Sequence, residues 1–196
     1  IFNTLNSIQY YMYQHDKLAT NNYLTKFSNL IRKVLENSRY TSIPIRDELD
    51  ALRLYLDLEM LRFKEKFDYS INVDEEIDTI MYKIPTMLIQ PYVENSLTHG
   101  LIPSGRKGFI KIDLNLKNDY ISCTIEDNGI GRKAAEMYKG LNGNEHSSLG
   151  TKITTSRLDL VNALCGTCLK TIYTDLYNEK GDAAGTRVEI HIPVMS

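Results

Sequence analysis

Residues 127–131 read Asp-Asn-Gly-Ile-Gly and follow an alternating run, Ile121, Cys123 and Ile125. The alternation predicts a strand with one buried face, so Asp127 leaves a strand end into a loop with two glycines. A carboxylate fixed there can accept a hydrogen bond from an exocyclic amine, and residues without a β-carbon let backbone approach a flat base or a phosphate. Asp-Asn-Gly is also a common turn between strands, so this segment alone leaves a nucleotide site and a plain turn both open.

A second polar cluster, Glu94, Asn95 and His99, lies upstream between Pro85 and Gly100. Apolar residues there recur at three- and four-residue steps, which predicts an amphipathic helix that begins after Pro85 and is closed by Gly100. Asn95 and His99 would then lie one turn apart on one face, with Glu94 beside them. Amide and carboxylate oxygens suit Mg²⁺, which is held by a few protein oxygens plus phosphates. Taken alone, a Glu-Asn pair near a helix end is more often solvated surface.

The two clusters in this order resemble the ATP-binding domain of the GHKL superfamily, which sensor histidine kinases share with chaperones, topoisomerases and mismatch-repair ATPases. The opening Ile1 to Ile8 is similar to the segment after the phosphorylated histidine of LytS/YehU-type sensor histidine kinases, where the pattern runs Pro-His-Phe-(Ile/Leu)-Phe-Asn-Thr-Leu-Asn. The chain also resembles that family in Leu56 to Phe63, in Pro85 to Gly100, and in Gly185-Thr186 before a closing strand. The resemblance covers nearly all of the 196 residues.

The resemblance implies a role for each candidate residue. The family's acid that binds the adenine amino group matches Asp127, and its Mg²⁺-holding asparagine matches Asn95. His99 is expected to hydrogen-bond near the phosphates or to cap its helix, more than to act as an acid or base. The implied catalytic residues are Glu94, Asn95 and His99, and the implied ATP-binding residues are Asn95, Asp127, Gly129, Gly131, Ser148, Leu149, Gly150 and Thr186.

The stretch around Ser148 is the expected phosphate cradle. Ser148-Leu149-Gly150 matches the family's second glycine-rich motif, whose backbone amides at a helix start bind phosphate. Residues 139–147 would be the lid that orders over ATP. Two departures bear on affinity and turnover: Thr98 stands where relatives commonly have Lys, and Ser148 stands where many have Gly.

The phosphate acceptor is expected just outside this sequence, because in the family it lies two residues before the position of Ile1. Of the four histidines, His15 sits at the wrong place in its helix, His99 and His146 fall in the nucleotide region, and His191 lies in a strand. The chain is therefore expected to be a piece of a longer sensor kinase that contains no phospho-acceptor of its own.

The implied activity is that of an ATP-dependent protein-histidine kinase of a bacterial two-component system. It would bind Mg-ATP and pass the γ-phosphoryl to the upstream histidine and then to an aspartate of a response regulator, for which the LytTR type is one candidate. A superfamily hydrolase is disfavoured because its glutamate, one turn before the metal asparagine, is replaced here by Pro91. A catalytically degenerate GHKL module that regulates a partner is the alternative, and the N-terminal helices argue against an anti-sigma-factor kinase.

The composition limits which classes of partner can be expected for this chain. A formal net charge of -2 with 24% charged residues shows no basic bias, so nucleic acid is not an expected partner. No apolar stretch approaches the roughly 20 residues that cross a bilayer, so we expect a cytoplasmic domain whose parent reaches the membrane only through absent upstream segments. Cys165 and Cys168 have the spacing of a redox or metal pair, but no second pair completes a zinc site, and a structural role is expected.

These residues must be positioned by helices and strands that the periodicities predict. A helix is predicted over 18–38, after a helical opening, and the two helices together indicate an antiparallel hairpin. We expect the hairpin to pair with a second copy, and packing of the hairpin on its own domain is the alternative. Thr41 to Pro44 is the expected linker between a dimerisation and histidine-phosphotransfer hairpin, 1–40, and an ATP-binding domain, 44–196.

Within the second domain the predicted helices and strands follow one another closely. Helices are predicted over 46–63 and 149–163, strands over 67–73, 110–116, 121–125, 170–176 and 187–192, and a mobile loop over 133–148. Neighbouring strands with helices on one face give a two-layer α/β sandwich of the GHKL or Bergerat type, preceded by the α-helical hairpin.

Overall fold

Short and long strands alternate with helices along the chain. The computed structural model describes residues 17–63, 66–141 and 169–193. The strands are β1 (Ser42–Pro44), β2 (Phe67–Val73), β3 (Lys83–Pro85), β4 (Gly108–Leu116), β5 (Tyr120–Asp127), β6 (Lys170–Tyr177) and β7 (Ala183–Pro193). The helices are α1 (Lys17–Asn37), α2 (Ile45–Arg62), α3 (Gln90–Asn95), which runs on into a π-helical turn (Ser96–Leu101) and a 3-10 turn (Ile102–Ser104), and α4 (Arg132–Leu141).

The main sheet has five strands in the order β2-β4-β5-β7-β6. β2 runs parallel to β4, and the other neighbours are antiparallel. Because side chains alternate between the faces of a strand, Ile110, Ile112 and Ile125 are fully buried against the helices, while Lys111 and Glu126 lie on the other face. The predicted two-layer α/β fold is confirmed, with α2 and α3 supplying the second layer of the core.

Helix α1 packs against α2. Tyr23 and Leu30 of α1 and Leu58 of α2 form a small core of their own, with exposed fractions of 1%, 8% and 3%. Two ion pairs flank it: Lys26 Nζ lies 2.5 Å from Asp57 Oδ2, and Lys33 Nζ lies 2.9 Å from Asp50 Oδ2. Within the described residues α1 therefore rests on its own chain. The preceding helix of the predicted hairpin falls in residues 1–16, outside the described residues.

The segment predicted as a linker is a strand. β1 pairs antiparallel with β3, with Ser42 opposite Pro85, Ile43 opposite Ile84 and Pro44 opposite Lys83. Ile43 is 3% exposed and Ile84 is fully buried, so the two strands close the core beneath the start of α2. Ile43 is the apolar residue of this segment, and burial of its side chain favours strand pairing over an open linker.

The helix that carries Asn95 begins later than the sequence predicts. Pro85 ends a strand, Met87 has a left-handed backbone (φ 55), and α3 starts only at Gln90. Glu48 of α2 is 3% exposed, and its carboxylate accepts hydrogen bonds from the backbone N–H of Met87 (2.9 Å) and of Ile89 (3.1 Å). Glu48 thus holds the entry into the next helix.

The loop predicted over 133–148 is wrong at its beginning, because Arg132–Leu141 is a helix. Ala134 and Ala135 favour helix, and the Arg132 guanidinium is bound to Asp175 of β6 through two hydrogen bonds, 2.7 and 3.0 Å long. The rest of that loop, the predicted helix 149–163 and the pair Cys165 and Cys168 lie outside the described residues. The other predicted helices and strands are confirmed to within a few residues at their ends.

Candidate functional site

Asp127 ends β5 and is buried, with 3% of its surface exposed. It pairs with Thr186 on β7. Its carboxylate accepts a hydrogen bond from the backbone N–H of Gly129, at 2.9 Å. Burial raises the pKa of Asp127 above its ordinary value, and the polar groups of Gly129, Ser96 and Thr186 oppose that rise.

Glycines allow a helix, a loop and a strand to meet around this carboxylate. A β-carbon on Gly129 would lie 2.5 Å from the Cα of Gly100, and one on Gly100 would lie 2.9 Å from Asp127 Oδ1. A β-carbon on Gly185 would lie only 1.8 Å from the carbonyl oxygen of Asp127, and Gly185 has φ +140. Each contact is closer than a β-carbon tolerates, so the sequence needs glycine at these positions to enclose Asp127.

Gly129, which was predicted to let the loop approach the base, packs against Gly100. The carbonyl oxygen of Gly100 also accepts the backbone N–H of Ile130 at 3.1 Å. Gly100 was expected to close the helix. The chain passes through it in a π-helical turn, and Gly100 is a packing contact for Asp127. Gly131, with φ +78, begins the turn into α4.

Asn95 is the last residue of α3, where the helix widens into the π-helical turn. Such turns replace one backbone hydrogen-bond pattern by another and are frequent at functional sites. Asn95 and His99 are half-buried, whereas Glu94 is exposed and its carboxylate accepts the Gln90 side-chain amide at 2.7 Å. The residue of this helix that reaches Asp127 is Ser96, next to Asn95.

Glu94 is also electrostatically linked to α2. Burial raises the pKa of Glu59, against the Arg62 guanidinium beside it, and the charge of Glu94 raises it further. Burial with the charges of Glu59 and Glu94 likewise raises the pKa of Tyr55. Arg62 Nη1 lies 2.9 Å from Glu59 Oε2. The block Leu56 to Phe63, found by resemblance alone, thus places an ion pair beside the predicted catalytic helix.

The structure brings Asp127, Gly129 and Thr186 together and joins them to the helix of Glu94, Asn95 and His99 through Ser96 and Gly100. Ser148, Leu149 and Gly150 lie outside the described residues. Sequence reasoning did not assign Ser96, Gly100 or Gly185 to the site. For Ser96 a signal was available, since a serine stood at an apolar-spaced position of a helix and had to find a buried partner.

The fit of this site to Mg-ATP rests on donor and acceptor chemistry. Asp127 accepts one protein N–H, from Gly129, so its carboxylate has acceptor capacity for the amino group of adenine. In the described ranges no group of three or more His, Cys, Asp or Glu residues stands ready for a metal. Asn95 offers an amide oxygen, and Mg²⁺ at many nucleotide sites is held by one or two protein oxygens together with phosphates.

Comparison with known proteins finds relatives among sensor histidine kinases. A model of the histidine kinase family matches residues 1–67. The Sensor protein LytS of Staphylococcus epidermidis is 28% identical over 201 aligned residues that include the whole of this chain. This chain is a homologue of LytS-type sensor histidine kinases. It spans 32% of the length of that LytS protein, so it corresponds to one part of a LytS-type kinase.

Solved histidine kinases share the fold of this LytS homologue. The catalytic domain of the histidine kinase ThkA matches 79% of this chain and 95% of its own length, with a TM-score of 0.52 at 12% identity. ThkA in complex with the response regulator protein TrrA matches 98% of this chain and 58% of its own length, with a TM-score of 0.51 at 14% identity. In the described ranges no helix is both long and apolar enough to span a membrane.

Proposed function

We propose that this region binds Mg-ATP and is the kinase core of a sensor histidine kinase. The observation that carries the proposal is Asp127, a buried carboxylate at a strand end that accepts the Gly129 N–H and is enclosed by Gly100 and Gly185. Asp127 would accept the adenine amino group, with Thr186 beside it on β7. Asn95 would hold Mg²⁺ between the phosphates, and the motif Ser148 to Gly150 would supply backbone amides to them.

In the proposed reaction an imidazole nitrogen of a histidine upstream of Ile1 attacks the γ-phosphorus of ATP. A P–N bond forms, the bond between the γ-phosphorus and the bridging oxygen breaks, and ADP leaves. The loose transition state spreads charge over the phosphoryl oxygens, and a Mg²⁺ ion held by Asn95 would supply electrostatic stabilisation. Glu94, exposed beside Asn95, would take the imidazole proton, and His99 would hydrogen-bond near the phosphates. The phosphoryl group would then pass to a response-regulator aspartate.

We also propose the predicted domain division, with residues 1–40 as the dimerisation and phosphotransfer hairpin and 44–196 as the ATP-binding domain. The two ion pairs that join α1 to α2 support a hairpin that packs beside the ATP-binding domain. A degenerate nucleotide-binding module is the second candidate. Thr98, which is exposed where relatives commonly carry Lys, favours it because a cation near the phosphates is missing.

Two substitutions test the nucleotide assignment by calorimetry. Asp127→Asn should weaken ATP binding on the order of a hundredfold, because the amide presents N–H toward donors and loses the charge. Asn95→Ala should retain ATP binding without Mg²⁺ and lose the increase that Mg²⁺ gives. Unchanged ATP affinity in Asp127→Asn would refute the adenine assignment, and a full Mg²⁺ effect in Asn95→Ala would refute the metal assignment.

A protein extended upstream to include the acceptor separates kinase from binding module. Incubated with ATP labelled at the γ-phosphate, it should acquire phosphate that is labile in acid and stable in base, as expected of a phosphoramidate on histidine. A protein that binds ATP with normal affinity and acquires no such label is a binding module.

A further inference from the structure

The segment that leads from β3 into α3 is tied to the end of α1 by Thr86. The Thr86 backbone N–H donates to the Thr41 carbonyl at 3.3 Å. Its hydroxyl donates to the Tyr40 carbonyl at 2.8 Å and lies 3.5 Å from the carbonyl oxygen of Asn37, the last residue of α1. Carbonyls at and just beyond a helix end need donors from outside the helix. Thr86 supplies one, and it thereby joins α1 to the entry of the helix that carries Asn95.

The residue after Thr86 has a backbone conformation that its surroundings must enforce. Met87 has φ 55, which residues with a side chain rarely adopt. From the side of α2, the Glu48 carboxylate accepts the N–H groups of Met87 and Ile89. From the side of α1, the constraint is the Thr86 hydroxyl. Its loss would let the backbone relax toward an ordinary conformation three residues before α3 begins at Gln90.

We propose that Thr86 is a positioning residue for the Mg²⁺ site, and that it acts on Asn95 through the entry of α3. The inference rests on the proposed function and deepens its metal assignment. Helix α3 has only six residues, and Asn95 is the last of them. A shift at the start of so short a helix moves its end as well, so the amide oxygen of Asn95 would leave the position that Mg²⁺ requires.

The proposed contact with adenine does not depend on Thr86. Asp127 ends β5 and accepts the N–H of Gly129, which belongs to the loop after the same strand. Neither residue lies on the segment that leads into α3. Loss of the Thr86 hydroxyl should therefore weaken the part of ATP binding that needs Mg²⁺ and leave the part that does not.

Thr25 provides a matched control for removal of a threonine hydroxyl. Its hydroxyl donates to the Asn21 carbonyl at 2.8 Å, the same kind of bond and the same length as between Thr86 and Tyr40. Thr25 and Asn21 both lie within α1, and Thr25 is exposed. Valine is β-branched like threonine and lacks the hydroxyl. Thr86→Val and Thr25→Val thus remove equivalent bonds, one at the entry of α3 and one away from it.

Calorimetry of the whole chain with ATP, in the presence and in the absence of Mg²⁺, measures the increase in affinity that Mg²⁺ gives. Thr86→Val should reduce this increase about fivefold, the scale of one neutral hydrogen bond, and should leave the affinity for Mg²⁺-free ATP unchanged. Thr86→Ser, which keeps the hydroxyl, should retain the increase of the parent protein. Thr25→Val should retain it as well.

The outcomes separate this inference from the proposed function. If the parent protein shows the increase and Thr86→Val retains it in full, the Thr86 contact has a structural role only and the inference is overturned. Equal losses of affinity with and without Mg²⁺ would also overturn it, since the whole site would then be affected. A Thr86→Ser variant that loses as much as Thr86→Val would show that the hydroxyl is not the cause. If Mg²⁺ gives the parent protein no increase, the metal assignment of the proposed function fails and this inference fails with it.

Discussion

Asp127 combines burial with polar neighbours, Gly129, Ser96 and Thr186, and burial and these neighbours act on its pKa in opposite directions. Burial is the larger effect, so its pKa in the folded protein lies above the ordinary value for aspartate. A raised pKa means that the folded chain binds the proton more tightly than the unfolded chain does. Ionised Asp127 therefore costs stability, a cost expected of a residue kept for ligand binding.

The first prediction concerns pH. The cost of ionised Asp127 is fully present above its folded-state pKa and disappears as the pH falls toward the ordinary value. Relative to Asp127→Asn, the parent protein should therefore gain stability on acidification through that window, while its ATP affinity falls because the acceptor becomes protonated. Urea unfolding of both proteins and calorimetry of the parent along a pH series measure the two trends. A stability difference that is constant with pH would contradict the assignment.

The second prediction uses two glycines with left-handed backbones. At Gly185 (φ +140) a β-carbon would overlap the Asp127 carbonyl, whereas at Gly181 (φ +83) it would meet no atom within 4 Å. We expect Gly185→Ala to cost about 4 kcal/mol or more in unfolding free energy. Gly181→Ala should show only the backbone cost of about 1 to 2 kcal/mol. Chemical denaturation of the pair measures this, and equal losses would show that the close approach at Asp127 is not essential.

At the scale of the helices and strands, one buried carboxylate connects α2 to the start of α3. Glu48 accepts two backbone N–H groups that would otherwise be unsatisfied at a helix entry, including that of Met87, whose left-handed backbone is unusual for a residue with a side chain. Since α3 carries Asn95 and runs on into the turn that begins at Ser96, the position of both residues depends on this contact. An acid in the first turn of one helix thus determines where the next helix begins.

The third prediction tests that contact. Glu48→Ala should lower the unfolding free energy by about 3 kcal/mol, because two buried N–H groups lose a charged acceptor. The matched control is Asp47→Ala, which removes the neighbouring acid, half-buried and 3.8 Å from the Arg46 guanidinium. The control should change stability by less than about 0.5 kcal/mol. Urea unfolding compares them, and similar losses would mean that Glu48 acts only on its own helix.

These helices and strands also show what a sequence can predict. Strands such as β4 and β5 can be predicted from alternating apolar and polar residues, because this alternation is a local property of the sequence. The start of α3 does not follow, since it depends on Glu48, 39 residues away from Met87. Likewise Asp127 and Asn95 were found from local motifs, whereas the Ser96 and Gly185 contacts with Asp127 exist only once strands and helices have been brought together.

At the scale of the whole molecule, α1 has two different apolar surfaces. One, made by Tyr23 and Leu30, is buried on α2. The other includes Leu24 and Leu35, which are 40% and 61% exposed. Eleven residues at 3.6 per turn return almost to the same side, so these two leucines share a stripe, about a third of a turn from the buried surface. The intrachain contact therefore leaves a second surface of α1 available.

The fourth prediction distinguishes the two surfaces, given the proposed dimer. The double variant Leu24→Glu, Leu35→Glu should shift the chain toward monomer in sedimentation analysis, because two charges in a stripe that the dimer would bury are costly. Its stability in urea unfolding of the monomer should change little. Leu30→Ala should do the reverse: it should lower the unfolding free energy by about 2 to 4 kcal/mol and leave the monomer–dimer equilibrium in place. If the double variant associates as the parent does, the exposed stripe is not the dimer contact. The hairpin would then pack only on its own domain, as α1 packs on α2.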